Sequence, residues 1–202
     1  TSNLFRQILL DSVQGRGPNL TLLPICSLPE VEDWITNWSF NETLHSRAYT
    51  HIIRNIYPNP TEVINEIKKI PEILECADAV TKYYDDLAYW NTVWQANRLG
   101  MEIVGQCWDE YQHKKALWLT INSINILEGL RFYVSFACSW NFAEQKKMEG
   151  NAKAIRFICR DENLHLGSTQ YMLRTLPTRE PIYAKIAKDC EQEVSQLYLD
   201  VV

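Results

Sequence analysis

Residues 41–45, Asn-Glu-Thr-Leu-His, and residues 161–165, Asp-Glu-Asn-Leu-His, each place a glutamate three positions before a histidine. Glu42/His45 and Glu162/His165 take two of the four histidines in the chain, and each pair lies in a stretch that reads as a long amphipathic helix. A helix advances about 100° per residue, so positions i and i+3 share a face and aim a carboxylate and an imidazole at one point. That is a metal-ligand geometry. Helix bundles that hold two carboxylate-bridged metals use one Glu-x-x-His from each of two helices and a single carboxylate from each of two others.

The rows that carry the pairs are otherwise apolar. Trp34, Trp38, Glu42, His45, Tyr49 and Ile52 follow steps of four and three, and so do Ile155, Ile158, Glu162, His165, Thr169 and Met172. A third row, Leu117, Ile121, Ile124, Glu128, Phe132 and Phe136, holds Glu128 as its one charge. A buried carboxylate must be neutralised, paired or metal-bound, because leaving it bare costs more than the net stability of a domain. One such glutamate is ordinarily explained by a salt bridge or a proton. Three on three helices, two of them with a histidine at i+3, point to a shared cation site, and Asp11 is the candidate fourth carboxylate. Four carboxylates and two neutral imidazoles balance two divalent cations. This donor set suits iron or manganese, whereas structural zinc would favour cysteine.

Punctuation places the helices. A short helix over residues 2–10 ends at Asp11, before the loop Gln14-Gly15-Arg16-Gly17-Pro18. Ser27-Leu28-Pro29-Glu30 has the form of a capping box and opens a helix to Ile56, closed by Tyr57-Pro58-Asn59-Pro60. Thr61 caps the next helix, and another runs from Pro71 to Leu99. One very long helix spans 109–147, Gly150 separates it from a helix over 151–175, and the last runs from Ile182 to Val202. Strand-like alternation is nearly absent. The expectation is an all-α chain, residues 1–202 forming a single ferritin-like helix bundle with a dinuclear metal site in its core.

Composition narrows the function. With 202 residues, 46% of them hydrophobic, the chain can bury a sizeable core. A net charge of −5 with scattered basic residues argues against a nucleic-acid partner. No apolar run approaches a membrane span, and no signal sequence opens the chain, so the expectation is a cytoplasmic protein. Cys26, Cys76, Cys107, Cys138, Cys159 and Cys190 are spread singly, which suggests neither a zinc knuckle nor a dithiol centre and fits a reducing compartment. His51 and His113 lack a carboxylate in an apolar row and read as structural.

Four segments, LLDSVQGRGPN (9–19), NETLHSRAYTHIIRNI (41–56), NILEGLRFYVSFACSWNFAE (125–144) and MEGNAKAIRFICRDENLHL (148–166), are similar to the radical-generating small subunit of class I ribonucleotide reductase, in its bacterial and phage members. The resemblance runs over nearly the whole chain. It implies one metal held by Asp11, Glu42 and His45 and a second by Glu128, Glu162 and His165, with Glu42 bridging and Glu162 as a second bridge in some states. Tyr49 matches the radical tyrosine of the family, and Phe132, Phe136 and Ile158 match the apolar pocket around it. Asp161 matches an acid that hydrogen-bonds a ligand histidine, and Trp38 a tryptophan that hydrogen-bonds a ligand carboxylate.

The implied function is that of the small subunit of ribonucleoside-diphosphate reductase. Two iron ions per chain, or manganese, activate O2 to generate and store a tyrosyl radical at Tyr49, which passes to the large subunit where ribonucleotides become deoxyribonucleotides. The same resemblance implies a homodimer. The family has an electron-transfer tryptophan ahead of the point matching Thr1 and a C-terminal tail that docks on the large subunit, so the chain is expected to be truncated at both ends. Rival readings are a diiron oxidase or monooxygenase with an open substrate cavity, an iron-storage protein, and a non-catalytic fragment that needs a complementary chain.

Overall fold

A computed structural model describes residues 2–67, 69–103 and 105–201. Among them the secondary structure is helical, apart from one isolated bridge between Ile103 and Gln106. The helices are α1 (Ser2–Gln14), α2 (Gly17–Thr21), α3 (Pro29–Ile56), α4 (Pro60–Ile67), α5 (Pro71–Arg98), α6 (Glu110–Ile126), α7 (Phe132–Glu144), α8 (Glu149–Arg179), α9 (Pro181–Asp189) and α10 (Glu191–Leu199). A π-helical turn, Leu127–Arg131, joins α6 to α7, and a 3-10 turn, Leu23–Ile25, precedes α3.

The chain closes a ring of four. Helix α1 packs on α3, α3 on α8, α8 on α7, and α7 back on α1. Each presents the stripe that its sequence period dictates: Ile35, Trp38, Glu42, His45, Tyr49 and Ile52 on α3 are buried, as are Ile155, Ile158, Glu162, His165 and Thr169 on α8. Helix α5 lies against α1 and α6, and α9 and α10 cover α6 on its other side. Every residue of α6 from Trp118 to Ile126 is therefore buried, so it is a central helix rather than an amphipathic one. The main core joins Trp38, Tyr49, Ile124, Phe132, Phe136, Ile155 and Ile158, and a second cluster holds Tyr83, Trp118, Tyr183 and Ile186. Phe132 and Phe136 stack with ring centroids 5.9 Å apart, and truncating either to alanine would cost roughly 3–5 kcal/mol.

Several boundaries differ from those expected. Helix α1 continues one turn past Asp11 to Gln14, and the stretch after it, expected as loop, forms α2 with Pro18 in its first turn. Ser27 does not cap α3: Leu28 stands at the N-cap in extended conformation without a side-chain bond, and the acids Glu30 and Glu32 complement the helix start instead. Before α4 the cap is Asn59, whose Oδ1 accepts from the Thr61 amide at 3.2 Å while its Nδ2 donates to Glu62. The long helix does begin at a cap, the Asp109 side chain accepting from the Gln112 amide, but it widens at Leu127–Arg131 and stops at Glu144. Gly150 lies inside α8, which carries Pro177 in its last turns. The last helix breaks at Cys190, and its expected end at Val202 lies outside the described residues.

Candidate metal centre

Four segments of the ring meet at one point. Asp11 comes from α1, Glu42 and His45 from α3, Glu128 from the π-helical turn, and Glu162 and His165 from α8; none of the six is more than 2% exposed. A π turn is a rare distortion that occurs often at functional sites, and here it carries the carboxylate of the central helix inward.

The six residues form two overlapping groups that could hold metal ions. Asp11, Glu42, His45 and Glu162 make one, and Glu42, Glu128, Glu162 and His165 the other, with candidate ligand atoms in each group within 4.8 Å of one another. Glu42 and Glu162 belong to both. His45 Nδ1 lies 3.1 Å from Glu162 Oε1, 3.6 Å from Glu42 Oε2 and 3.7 Å from Asp11 Oδ1. His165 Nδ1 lies 2.9 Å from Glu162 Oε2, 3.1 Å from Glu42 Oε1 and 3.9 Å from Glu128 Oε2.

Neighbours fix the donors. Asp161 Oδ2 is 3.2 Å from His45 Nε2, so Nε2 carries the proton of the neutral ring and Nδ1 turns its lone pair to the carboxylates. Trp38 Nε1 donates to Glu42 Oε1 at 3.0 Å, and its ring stacks on His165 with centroids 5.0 Å apart. On the far side, Gln14 Nε2 donates to Glu128 Oε1 at 2.6 Å.

The protein's own hydrogen bonds leave this box unfinished. Asp11 Oδ1 and Oδ2, Glu42 Oε2, His45 Nδ1, Glu128 Oε2 and Glu162 Oε1 are buried and have no hydrogen-bond partner among the described residues. Buried polar atoms are nearly always paired, so a cluster of unpaired ones of ligand type marks a place where cations belong. Without cations, protons must balance the charge. Burial lifts Asp11 and Glu128 well above the carboxylate range, with Glu162 adding to the repulsion on both. Burial alone would lower His165, but its contacts with Glu128, Glu162 and Glu42 win and push it up to about 12. His45 is likewise depressed by burial and then raised, by Asp11, Glu162 and Glu42. Glu162 opposes its burial through Glu128, His165 and His45 and is held below its ordinary value. Two divalent ions would replace these protons and leave the box neutral.

Tyr49, one turn beyond His45, is 1% exposed, and among the described residues its hydroxyl has no partner at full hydrogen-bond geometry. Burial first, and then the Asp11 and Glu162 charges, push the phenol well above its ordinary value. Phe132, Phe136 and Ile158 lie in the same core cluster.

The model of one protein family, described as ribonucleotide reductase, small chain, matches residues 2–202. The chain belongs to this family. Among curated relatives, the ribonucleoside-diphosphate reductase subunit beta of Buchnera aphidicola subsp. Baizongia pistaciae is 49% identical over 99% of this chain and 54% of that protein. The subunit beta of Enterobacteria phage T4 is 42% identical over 100% of this chain and 55% of its own length. The chain thus spans about half the length of the curated relatives it matches. Among solved structures, the ribonucleotide reductase R2 subunit from Clostridium botulinum aligns with a TM-score of 0.69 at 19% identity, over 98% of this chain and 61% of that one, a likeness of fold. Among the described residues no helix is long and apolar enough to cross a membrane.

The structure brings together the six candidate ligands named from the sequence, with Trp38 and Asp161 bonded to two of them. It adds two that were not. Gln14 and, behind it, Tyr84, whose hydroxyl donates to Gln14 Oε1 at 2.8 Å, join Glu128 through buried hydrogen bonds. The signal for Gln14 was its position at i+3 from Asp11, hidden by ending α1 a turn too early. His51 and His113 lie apart from the box: His51 is exposed, and His113 bonds Asn91 and Trp108.

Proposed function

We propose that this chain is the metal-holding core of a ribonucleoside-diphosphate reductase small subunit, one ferritin-like unit that stores an oxidising equivalent on Tyr49 for a large-subunit partner. The observation that carries the reading is the pair of overlapping ligand groups sharing Glu42 and Glu162, with unpaired donor atoms pointing into them. Asp11, Glu42 and His45 would hold one ion, and Glu128, Glu162 and His165 the other. Glu42 and Glu162, which belong to both groups, could be shared by the two ions.

Two bound iron ions, or manganese in their place, supply one-electron oxidising chemistry with O2, which neither amino-acid side chains nor backbone can provide. The chain supplies the rest. Asp161 keeps the His45 Nδ1 lone pair facing inward, and Trp38 ties one oxygen of Glu42. Tyr49 stays a protonated phenol until an electron leaves, since burial and the Asp11 charge both disfavour phenolate. Phe132, Phe136 and Ile158 keep water and reductants from the oxidised ring. The large subunit then receives the hole, and a homodimer is the expected assembly. The free thiols of all six cysteines fit a reducing compartment such as the cytoplasm.

The test is anaerobic ferrous loading, exposure to O2, metal analysis and electron paramagnetic resonance. About two irons per chain with a tyrosyl doublet that disappears in Tyr49→Phe is the expected result. An unchanged doublet in Tyr49→Phe refutes the radical assignment, and iron without any radical moves the chain toward an oxidase.

A further inference from the structure

Glu128 is the one carboxylate of the box that a side-chain amide holds. Gln14 Nε2 donates to its Oε1 at 2.6 Å, while its Oε2, unpaired, faces His165 Nδ1 at 3.9 Å. The polarity of the chain of bonds is forced. With cations in the box Glu128 is ionised and only accepts, so the amide nitrogen of Gln14 must face it; the amide oxygen then faces Tyr84, whose hydroxyl must donate. Gln14 and Glu128 are fully buried and Tyr84 nearly so, which leaves no water to take over either bond.

The segment Gln14-Gly15-Arg16-Gly17 is shaped for this contact. A Cβ on Gly17 would stand 2.3 Å from Tyr84 Cζ and 2.6 Å from both adjacent ring carbons, so only glycine lets the ring reach the end of α1. Asn91, two turns beyond Tyr84 on α5, donates to the Thr21 carbonyl at 2.7 Å and pins α2 in register. Helix α5 contributes nothing to the two ligand groups themselves, yet through Tyr84 and Gln14 it reaches Glu128.

We infer that Gln14 is a positioning residue for Glu128, with Tyr84 acting through it, and that together they present Oε2 alone to the metal position formed with Glu162 and His165. The inference rests on the two-metal reading above. Tying one oxygen makes the carboxylate a one-point ligand and stops it from swinging away. Among the described residues neither Gln14 nor Tyr84 hydrogen-bonds Asp11 or His45, so the other position, which shares Glu42 and Glu162, serves as the comparison.

The test uses the full chain, Gln14→Leu and Tyr84→Phe, titrated anaerobically with Mn2+ alone, bound and free metal being separated by electron paramagnetic resonance. Wild type should take two ions. Gln14→Leu should keep one at wild-type affinity and bind the second about 10–100-fold more weakly, the usual effect of losing such a partner. Tyr84→Phe, which deletes one oxygen atom, should weaken the second ion roughly fivefold, as loss of one hydrogen bond does. Wild-type affinity for both ions in a folded Gln14→Leu, or an equal loss at both positions, overturns the inference. Should Gln14→Leu not fold, unchanged second-ion affinity in Tyr84→Phe overturns it. A wild-type chain that takes up no Mn2+ defeats the metal reading itself, an outcome distinct from failure of the relay.

Discussion

Gly17→Ala isolates how tightly the start of the fold is locked to the site. The new Cβ would sit 2.3 Å from Tyr84 Cζ, against an ordinary carbon contact of about 3.5 Å, so ring and helix must part by about 1.2 Å. The Tyr84 hydroxyl, 2.8 Å from Gln14 Oε1, then leaves hydrogen-bond range. Overpacking of this kind costs about 1–3 kcal/mol, and stranding a buried amide oxygen about 1–3 more. The midpoint is about 4 kcal/mol, which for a chain of this size lowers Tm by about 8–16 °C. Gly167→Ala is the control: it lies inside α8 with nothing within 4 Å of its Cβ position, and should gain roughly 0.5–1 kcal/mol. Thermal melts followed by circular dichroism at one pH and ionic strength read both. A Gly17→Ala Tm within about 2 °C of wild type, well under that shift, would mean that the Tyr84 ring and the end of α1 are not locked together.

Tyr49→Phe should leave Tm equal to wild type or slightly higher, because it removes a buried hydroxyl with no partner at full hydrogen-bond geometry among the described residues; a fall of more than about 1 kcal/mol in a urea titration would mean that the hydroxyl is bonded, with Asp11 the carboxyl acting on it. Asp161→Asn should weaken Co2+ binding at the His45 position by roughly 10–100-fold, read from the visible absorption of the bound ion, since His45 Nε2 loses its carboxylate acceptor. His113 is buried as a neutral ring, its Nδ1 accepting from Trp108 and its Nε2 donating to Asn91, and burial, then Lys114, lowers its pKa. The unfolded chain therefore binds a proton that the folded one refuses, so stability is full above about pH 6.5 and declines as pH falls toward the lowered folded value. Replacing His113 with Gln should flatten that slope in denaturant titrations across the same window, and an unchanged slope would remove His113 as its source.

What could be read from the sequence was what is local. The i,i+3 pairs at Glu42/His45 and Glu162/His165 are properties of one helix each, and the buried stripes of α3 and α8 follow from a 3.6-residue period. The partner of each stripe is tertiary information. Asp11 lies on a helix with no histidine at i+3 and was assigned as a ligand by the family resemblance, and Gln14 was lost because two glycines looked like the end of a helix that in fact runs one turn further, its Gly15 amide still bonding the Asp11 carbonyl. The π turn left a trace that went unread. Ile124, Glu128, Phe132 and Phe136 are three successive steps of four, each overshooting a regular turn by about 40°, and a straight α-helix would carry the row about 120° off its face. All four are nevertheless buried, because the wider turn at Leu127–Arg131 takes up the drift. Glu128 stands at that turn, where regular periodicity fails and the site gains its fourth carboxylate-bearing segment.

Anomalous X-ray diffraction at the iron edge, from crystals of the chain loaded with ferrous iron, would locate the ions in the box. Two peaks per chain are expected, both in contact with Glu42 and Glu162, one of them also with Asp11 and His45 and the other with Glu128 and His165. A single peak, or iron bound only to exposed side chains such as His51 or Cys107 with the Glu42/Glu162 pair unmetallated, would contradict the two-metal reading.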